Sequence, residues 1–164
     1  MRHASKLLPI VLLLAAAPAL GKSTDRNQPM DISADRTDAL LGDDSVSTLE
    51  GNVRIRQGTL EVDAARAEVH RVAGDINRIV LTGAPATLRQ VSDAGEPMEA
   101  TANRVVYLMT DEAMTLTGNV VITQPRGTLR GETIKYDINT GRIDGGGDGA
   151  RVNLRILPKS ATTN

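Results

Sequence analysis

The chain has 164 residues, 19 Lys+Arg against 20 Asp+Glu, two histidines, two Tyr, and no Cys, Phe or Trp. That balance argues against a nucleic-acid partner, which selects a strongly basic face, and the absence of thiols excludes disulfides, thiolate nucleophiles and Cys-ligated metal sites. The apolar inventory is Val, Ile, Leu, Ala and Met, without the aromatics of roughly 150–250 Å² each that usually plug small β-sandwiches, so the interior is either thin or not fully filled by the protein itself.

At the start, Arg2, His3 and Lys6 precede an apolar run from Leu7 to about Ala17, then Ala17-Pro-Ala19 and Ala19-Leu-Gly21. A basic n-region, a short apolar stretch and small residues at alternate positions predict a secretory signal peptide over residues 1–21. The run is short for a membrane span, which needs about 20 apolar residues; a retained anchor is the competing reading. Cleavage after Ala19 or Gly21 makes the protein exported. It removes Arg2 and Lys6 but no acid, leaving 17 Lys+Arg against 20 Asp+Glu and a net charge of −3. Residues 22–29 read as a polar leader, 30–158 as one domain, and 159–164 as a disordered tail.

Met30-Asp-Ile-Ser-Ala-Asp35 opens the first strand, and the chain then repeats itself. Leu49-Glu-Gly-Asn-Val-Arg-Ile-Arg-Gln returns as Leu116-Thr-Gly-Asn-Val-Val-Ile-Thr-Gln, each followed by Gly-Thr-Leu (Gly58–Leu60 and Gly127–Leu129). A weaker copy begins at Leu81-Thr-Gly83, and a fraying fourth at Ile143-Asp-Gly145. The Leu-x-Gly starts at 49, 81 and 116 are 32 and 35 residues apart, and a period of this size marks stacked supersecondary units, none able to bury its apolar face alone. Within each unit, Val53/Ile55 and Val120/Ile122 alternate with polar or second apolar residues, the period-2 pattern of a strand with one buried face. Gln57-Gly58 and Gln124-Pro-Arg-Gly127 break the alternation as hairpin loops do. It resumes from Leu60, Met98 and Leu129, so each unit reads strand, turn, strand.

Further turns are predicted at Leu41–Asp44, Val72–Asp75, Val91–Pro97 and Asn139–Gly141, where Gly, Asp and Asn accept positive φ. Ala64–His70 is read as strand despite its alanines. In the third unit Gly83-Ala-Pro85 replaces Gly-Asn-Val, predicting a bend or bulge. Arg151–Leu157 alternates cleanly, and Pro158 ends it. The fold class is all-β, a ladder of many short antiparallel strands.

Candidate chemistry is sparse. His70, the one histidine outside the signal segment, alternates with Val69 and reads as a solvent-facing strand residue. Ser33, Ser45, Ser47 and Ser92 lack a Gly-x-Ser-x-Gly setting, and no second base completes a triad. Asp144-Gly-Gly-Gly-Asp-Gly149 occurs once, whereas calcium-binding glycine repeats act in tandem, so it reads as a turn. Arg54, Arg56, Arg66, Arg71, Arg104, Arg126, Arg130, Arg151 and Arg155 fall mostly in outward slots, where some could meet phosphates bidentately. No catalytic residue, metal or cofactor is expected.

Ile32-Ser-Ala-Asp35, the Leu49–Leu60 unit, Ile79–Gly83, Ala100–Tyr107, Leu116–Ile122, Gly127–Glu132 and Gly149–Val152 together resemble the OstA-like family, across almost all of residues 28–158. The resemblance implies a twisted, open β-jelly roll in the periplasm that carries lipopolysaccharide by its lipid A acyl chains. It also implies docking to an LptC-like inner-membrane protein and an LptD-like outer-membrane protein, and head-to-tail association with further copies. On that reading the lipid groove is assigned to the inward slots Val53, Ile55, Leu60, Val62, Leu81, Val105, Tyr107, Leu116, Val120, Ile122, Leu129, Ile134 and Tyr136. The docking edges are Ile32, Ser33, Ala34 and Asp35 in a first strand spanning Ile32–Asp38, and Arg151, Val152, Asn153, Leu154, Arg155 and Ile156 in a last one. Two alternatives are an anchored LptC-like component of the same system and a lipid-free structural or chaperone-like oligomer; a hydrolase ranks behind both.

Overall fold

The computed structural model describes residues 24–40, 42–138, 140–146 and 150–158. The expected signal peptide and its cleavage site, Leu41, Asn139, Gly147–Gly149 and the tail at 159–164 lie outside the described residues.

A 3-10 turn over Asp25–Asn27 leads into ten antiparallel strands: β1 Met30–Ser33, β2 Arg36–Asp38, β3 Ser45–Gln57, β4 Leu60–Val72, β5 Asp75–Val91, β6 Pro97–Leu108, β7 Ala113–Gln124, β8 Gly127–Asp137, β9 Ile143–Gly145 and β10 Asn153–Ile156. They form one sheet in the order β1-β3-β4-β5-β6-β7-β8-β10, with β2 also on β3 and β9 also on β8. The expected first strand Ile32–Asp38 is thus two strands, and both pair β3: β1 opposite Arg54–Gln57 and β2 opposite Thr48–Glu50. The break between them is Ala34-Asp35, where the Asp35 N–H donates to the Gly51 carbonyl at 2.9 Å. β1 and β10 are not paired with each other, so the sheet is open.

The antiparallel ladder is as expected, but its central strands are long, not short: 11 to 17 residues from β3 to β8. The reason lies in the repeated Gly-Asn. It does not begin a strand; it makes a bulge in the middle of one. Gly51 and Asn52 have φ of 77° and 45°, Gly118 and Asn119 have 83° and 50°. At both, one extra residue is inserted relative to the neighbouring strand, between Glu50 and Val53 and between Thr117 and Val120. Asn tolerates this left-handed conformation better than most residues and Gly takes it freely. The bend expected at Gly83-Ala-Pro85 coincides with the register shift between Thr82 and Ala86, where the Ala84–Pro85 bond is cis.

These irregularities fall at the midpoints of consecutive strands and form a fold line across the sheet. Only one face of the sheet is buried, and no helix among the described residues covers it. A single sheet can hide such a face only by folding over itself, which bulges and their added twist allow. The fold line also explains side-chain parity. β3 and β7 insert one residue there, and their buried positions keep strict alternation (Leu49, Val53, Ile55; Met114, Leu116, Val120, Ile122). β4 and β6 insert none, and alternation flips, from Leu60 and Val62 to Ala67 and Val69, and from Met98, Ala100 and Ala102 to Val105 and Tyr107. β5 inserts two and flips likewise, from Ile79 and Leu81 to Ala86 and Leu88. Crossing the line shifts the inward face by one position; an odd insertion restores it.

Candidate functional site

Register places the inward side chains in rows. One row crosses the whole sheet: Ile32 is opposite Ile55, then follow Val62, Leu88, Ala100, Ile122, Leu129 and, on β10, Leu154. No polar residue interrupts it. Ile55 through Ile122 are 2–3% exposed, Ile32 and Leu129 are half-buried, and Leu154 is 63% exposed. The stripe is therefore sealed in the middle and open at its C-terminal edge. Beyond the fold line a second row joins Leu49, Ala67, Leu81, Val105, Leu116 and Ile134, and a third joins Val69, Ile79, Tyr107, Met114 and Tyr136.

Of the thirteen inward slots read from the sequence, Val53, Ile55, Leu60, Val62, Leu81, Val105, Tyr107, Leu116, Val120, Ile122, Ile134 and Tyr136 are buried, and Leu129 is half-buried against them. They share one hydrophobic cluster, which the protein's own side chains fill through the middle of the roll. Sequence reading missed Leu88 and Ala100, the middle of the stripe, and also Leu49, Ala67, Val69, Ile79, Val80, Ala86, Met98, Ala102, Met114 and Ile138. All but Leu49, Met114 and Ile138 lie on β4, β5 and β6, whose alternation changes at the fold line. Of the expected edge residues, Ile32 and Ser33 lie in β1, Ala34 and Asp35 follow it, Arg151 and Val152 precede β10, and Asn153, Leu154, Arg155 and Ile156 form it.

Open space gathers at the end of the roll that carries the Gly58-Thr59, Ser92–Glu96 and Pro125-Arg126 turns. A cleft of about 570 Å³ is lined by Thr59, Gln90, Val91, Pro97, Met98 and Pro125 among others. A second, of about 510 Å³, lies under the free edge, lined by Ile122, Gln124, Arg126, Gly127, Leu129, Ile143, Leu154 and Ile156. The opposite end has a cleft of about 640 Å³, around Val46, Val72, Leu108 and the His70–Arg78 pair.

The N-terminal turn fastens onto the open end. Asp25 is 4% exposed; its Oδ2 accepts from Thr59 Oγ1 at 2.5 Å and Gln90 Nε2 at 3.4 Å. Thr59 Oγ1 in turn accepts from the Val91 N–H at 3.2 Å. A side chain at Gly58, which has φ +60°, would collide with the Asp25 carboxylate. Buried acceptors are costly to leave unmatched, and removing one partner exposes the other's desolvation cost. Asp25→Ala is expected to lower stability by about 1–3 kcal/mol, measured by urea unfolding, with Asp25→Asn losing less because an acceptor remains. An unchanged midpoint in Asp25→Ala would show that the turn is not anchored this way.

The outer face is polar and cross-paired over the first strands. Arg54 donates to Asp63 at 2.9 Å, Arg66 pairs with Glu50, and Arg89 reaches Glu99 at 3.4 Å. The hydrogen bond from Arg54 to Asp63, and then that carboxylate's charge, push the Arg54 guanidinium further up from its ordinary value. Exposed pairs of this kind add little stability. His70 does lie on the outer face, yet its side chain is only 20% exposed: Arg78 covers it, 3.2 Å from Nδ1. Among the described residues no group of three His, Asp or Glu side chains converges as a metal-ligand set, and no helix is long and apolar enough to cross a membrane.

Known proteins share this arrangement. The family described as "LptA/(LptD N-terminal domain) LPS transport protein" matches residues 31–142. The chain is 32% identical over 150 residues to "Lipopolysaccharide export system protein LptA" of Escherichia coli (strain K12), a span covering 90% of this chain and 80% of that one. It is also 32% identical over 151 residues to the protein of the same name from Haemophilus influenzae, covering 90% and 87%. The crystal structure of LptH, described as the LptA homologous periplasmic component of the lipopolysaccharide transport device of Pseudomonas aeruginosa, superposes with a TM-score of 0.74 at 22% identity, over 82% of this chain and 99% of that one. With the family match running through eight of its ten strands and a third of its residues shared with a relative along nearly its whole length, the chain belongs to the LptA/(LptD N-terminal domain) LPS transport protein family.

Proposed function

We propose that this chain is a periplasmic lipopolysaccharide carrier. It takes the acyl chains along its apolar inner face and passes them, through head-to-tail contacts with an LptC-like and an LptD-like jelly roll and with further copies, from the inner- to the outer-membrane complex. The observation that carries the reading is the stripe from Ile32 to Leu154, apolar from one free edge to the other. A second jelly roll added edge-on would prolong it, because strand addition continues both the ladder and the alternation of side chains. Each CH₂ removed from water is worth about 0.8 kcal/mol, so several acyl chains give a gross term too large for easy release into water. An adjoining apolar acceptor removes that barrier, which favours a continuous bridge over a diffusing shuttle.

Because the middle of the roll is filled, chains enter at the open end and the inner faces separate as they advance. An interior of Val, Ile, Leu and Ala, with few aromatics to unstack, suits such parting. The same filled interior favours a second reading, a structural oligomer without lipid cargo. Photocrosslinking separates the two. A photoreactive residue at Ile55 or Ile122 in cells is expected to capture lipopolysaccharide, while the exposed neighbours Arg56 and Thr123 are not. Equal yields at all four positions, or none at any, would leave the oligomer reading standing and remove the carrier.

A further inference from the structure

We infer that the cleft beneath the C-terminal edge is a two-part site for a phosphorylated amphiphile: Arg126 and the Gln124 amide bind the phosphate, and Ile122, Leu129, Leu154 and Ile156 bind the adjoining part of an acyl chain. The inference rests on the carrier reading and adds to it where the headgroup sits.

Arg126 lines the cleft from the turn between β7 and β8. Among the described residues no acid pairs with its guanidinium, unlike Arg54, Arg66 and Arg89, which cross-strand carboxylates already engage. A paired arginine must surrender its partner to bind an anion; Arg126 has none to surrender. Its planar fork matches two phosphate oxygens at once. Gln124 lines the same cleft, and its side-chain amide likewise carries no hydrogen bond among the described residues. Pro125, between them, offers no N–H of its own.

The surrounding charge acts in the same direction. Residues 24–119 hold nine Arg against 16 Asp+Glu, a net −7, whereas residues 120–158 hold six Lys+Arg against four, a net +2. Arg130 and Arg155 lie on adjacent strands two residues apart in register, neither lining the cleft, and no ion pair engages them either among the described residues. An anionic headgroup is thus drawn to the C-terminal side of the sheet and repelled from its N-terminal side. At about 510 Å³ the cleft is the size of a site for one small ligand, enough for a phosphate and the start of a chain but not for a multi-chain lipid.

The test compares binding of bisphosphorylated lipid A with that of the same acylated sugar lacking phosphates, at protein concentrations where sedimentation shows monomer. Wild type is expected to prefer the phosphorylated form, and Arg126→Gln to lose about ten- to a hundredfold of that affinity while binding the unphosphorylated form unchanged. Arg126→Lys retains the charge without the fork and is expected to lose less. Inorganic phosphate alone is expected not to compete, since it has no chain to anchor. Equal affinities for the two amphiphiles, equal losses for both in Arg126→Gln, or full competition by inorganic phosphate would each overturn the inference. If Ile122 still crosslinks to lipopolysaccharide in that event, only the headgroup assignment is lost; if it does not, the carrier reading falls too.

Discussion

Wild type is expected to self-associate with rising concentration, and Leu154→Pro to stay a monomer whose own fold is intact. The register explains the choice of residue. The Leu157 N–H donates to the Arg126 carbonyl at 2.9 Å, and the β10–β8 pairs continue that alignment through Arg155 with Thr128 and Asn153 with Arg130. In an antiparallel pair the hydrogen-bonded positions alternate. Odd-numbered residues of β10 therefore bond inward to β8, and Leu154 and Ile156 direct their N–H groups to the free edge. Proline at 154 removes an outward donor and adds a ring where a neighbouring strand would lie, while the internal ladder keeps its bonds. Losing one ladder bond and the fit beside it should weaken association about ten- to a hundredfold. Leu154→Ala keeps the N–H and is expected to oligomerise more nearly like wild type. Asn153→Pro instead breaks a bond to β8. Identical sedimentation profiles for wild type and Leu154→Pro would mean that copies do not join through this edge.

Ile134→Ala is expected to cost about 3–5 kcal/mol, a large share of the 5–15 kcal/mol typical of a domain. Ile134 is 0% exposed and lies opposite Leu116 on β7 and Gly145 on β9. Its side chain also fills the space above two glycines: a Cβ on Gly131 would lie 3.5 Å from Ile134 Cγ1, and one on Gly145 3.4 Å from it. Glycines have no side chains to move into a vacated volume, so the cavity stays open and its full penalty is felt. No disulfide holds the sheet when packing is lost. Ile156→Ala, at a position 67% exposed, is the control and should change stability by less than about 0.5 kcal/mol. Equal urea midpoints for the two variants would contradict the packing described for Ile134.

Much of this was legible in the residues. Alternation identified β3 and β7 and their inward sides, because those strands insert one residue at the fold line and keep their parity. Gly58, Gly74 and Pro125 marked turns through the conformations they allow or forbid. The free edges followed from the open roll that the family resemblance implies, although the first of them is two strands and not one. Gly-Asn was visible too, but not its role: a left-handed pair ends a strand or bulges one, and only the partner strand tells which.

What pairing alone decided is the inner face of the strands opposite those bulges. β4 and β6 carry no marker of their own where alternation flips, since the cause is the count of residues on their neighbours. That is why Ala100, in the middle of the stripe, went unread; beside it Leu88 went unread because Gly83-Ala-Pro85 marks a bend in β5 without telling that two residues are inserted there. Asp25 meets Gln90 across 65 positions of sequence, and a carboxylate in a polar leader gives no local sign of burial. Which arginines are neutralised and which are free is likewise a matter of cross-strand neighbours. Period-2 chemistry along the chain fixed the strands; the register between strands, set by where extra residues accumulate, fixed the stripe, its open edge and the charges beside it.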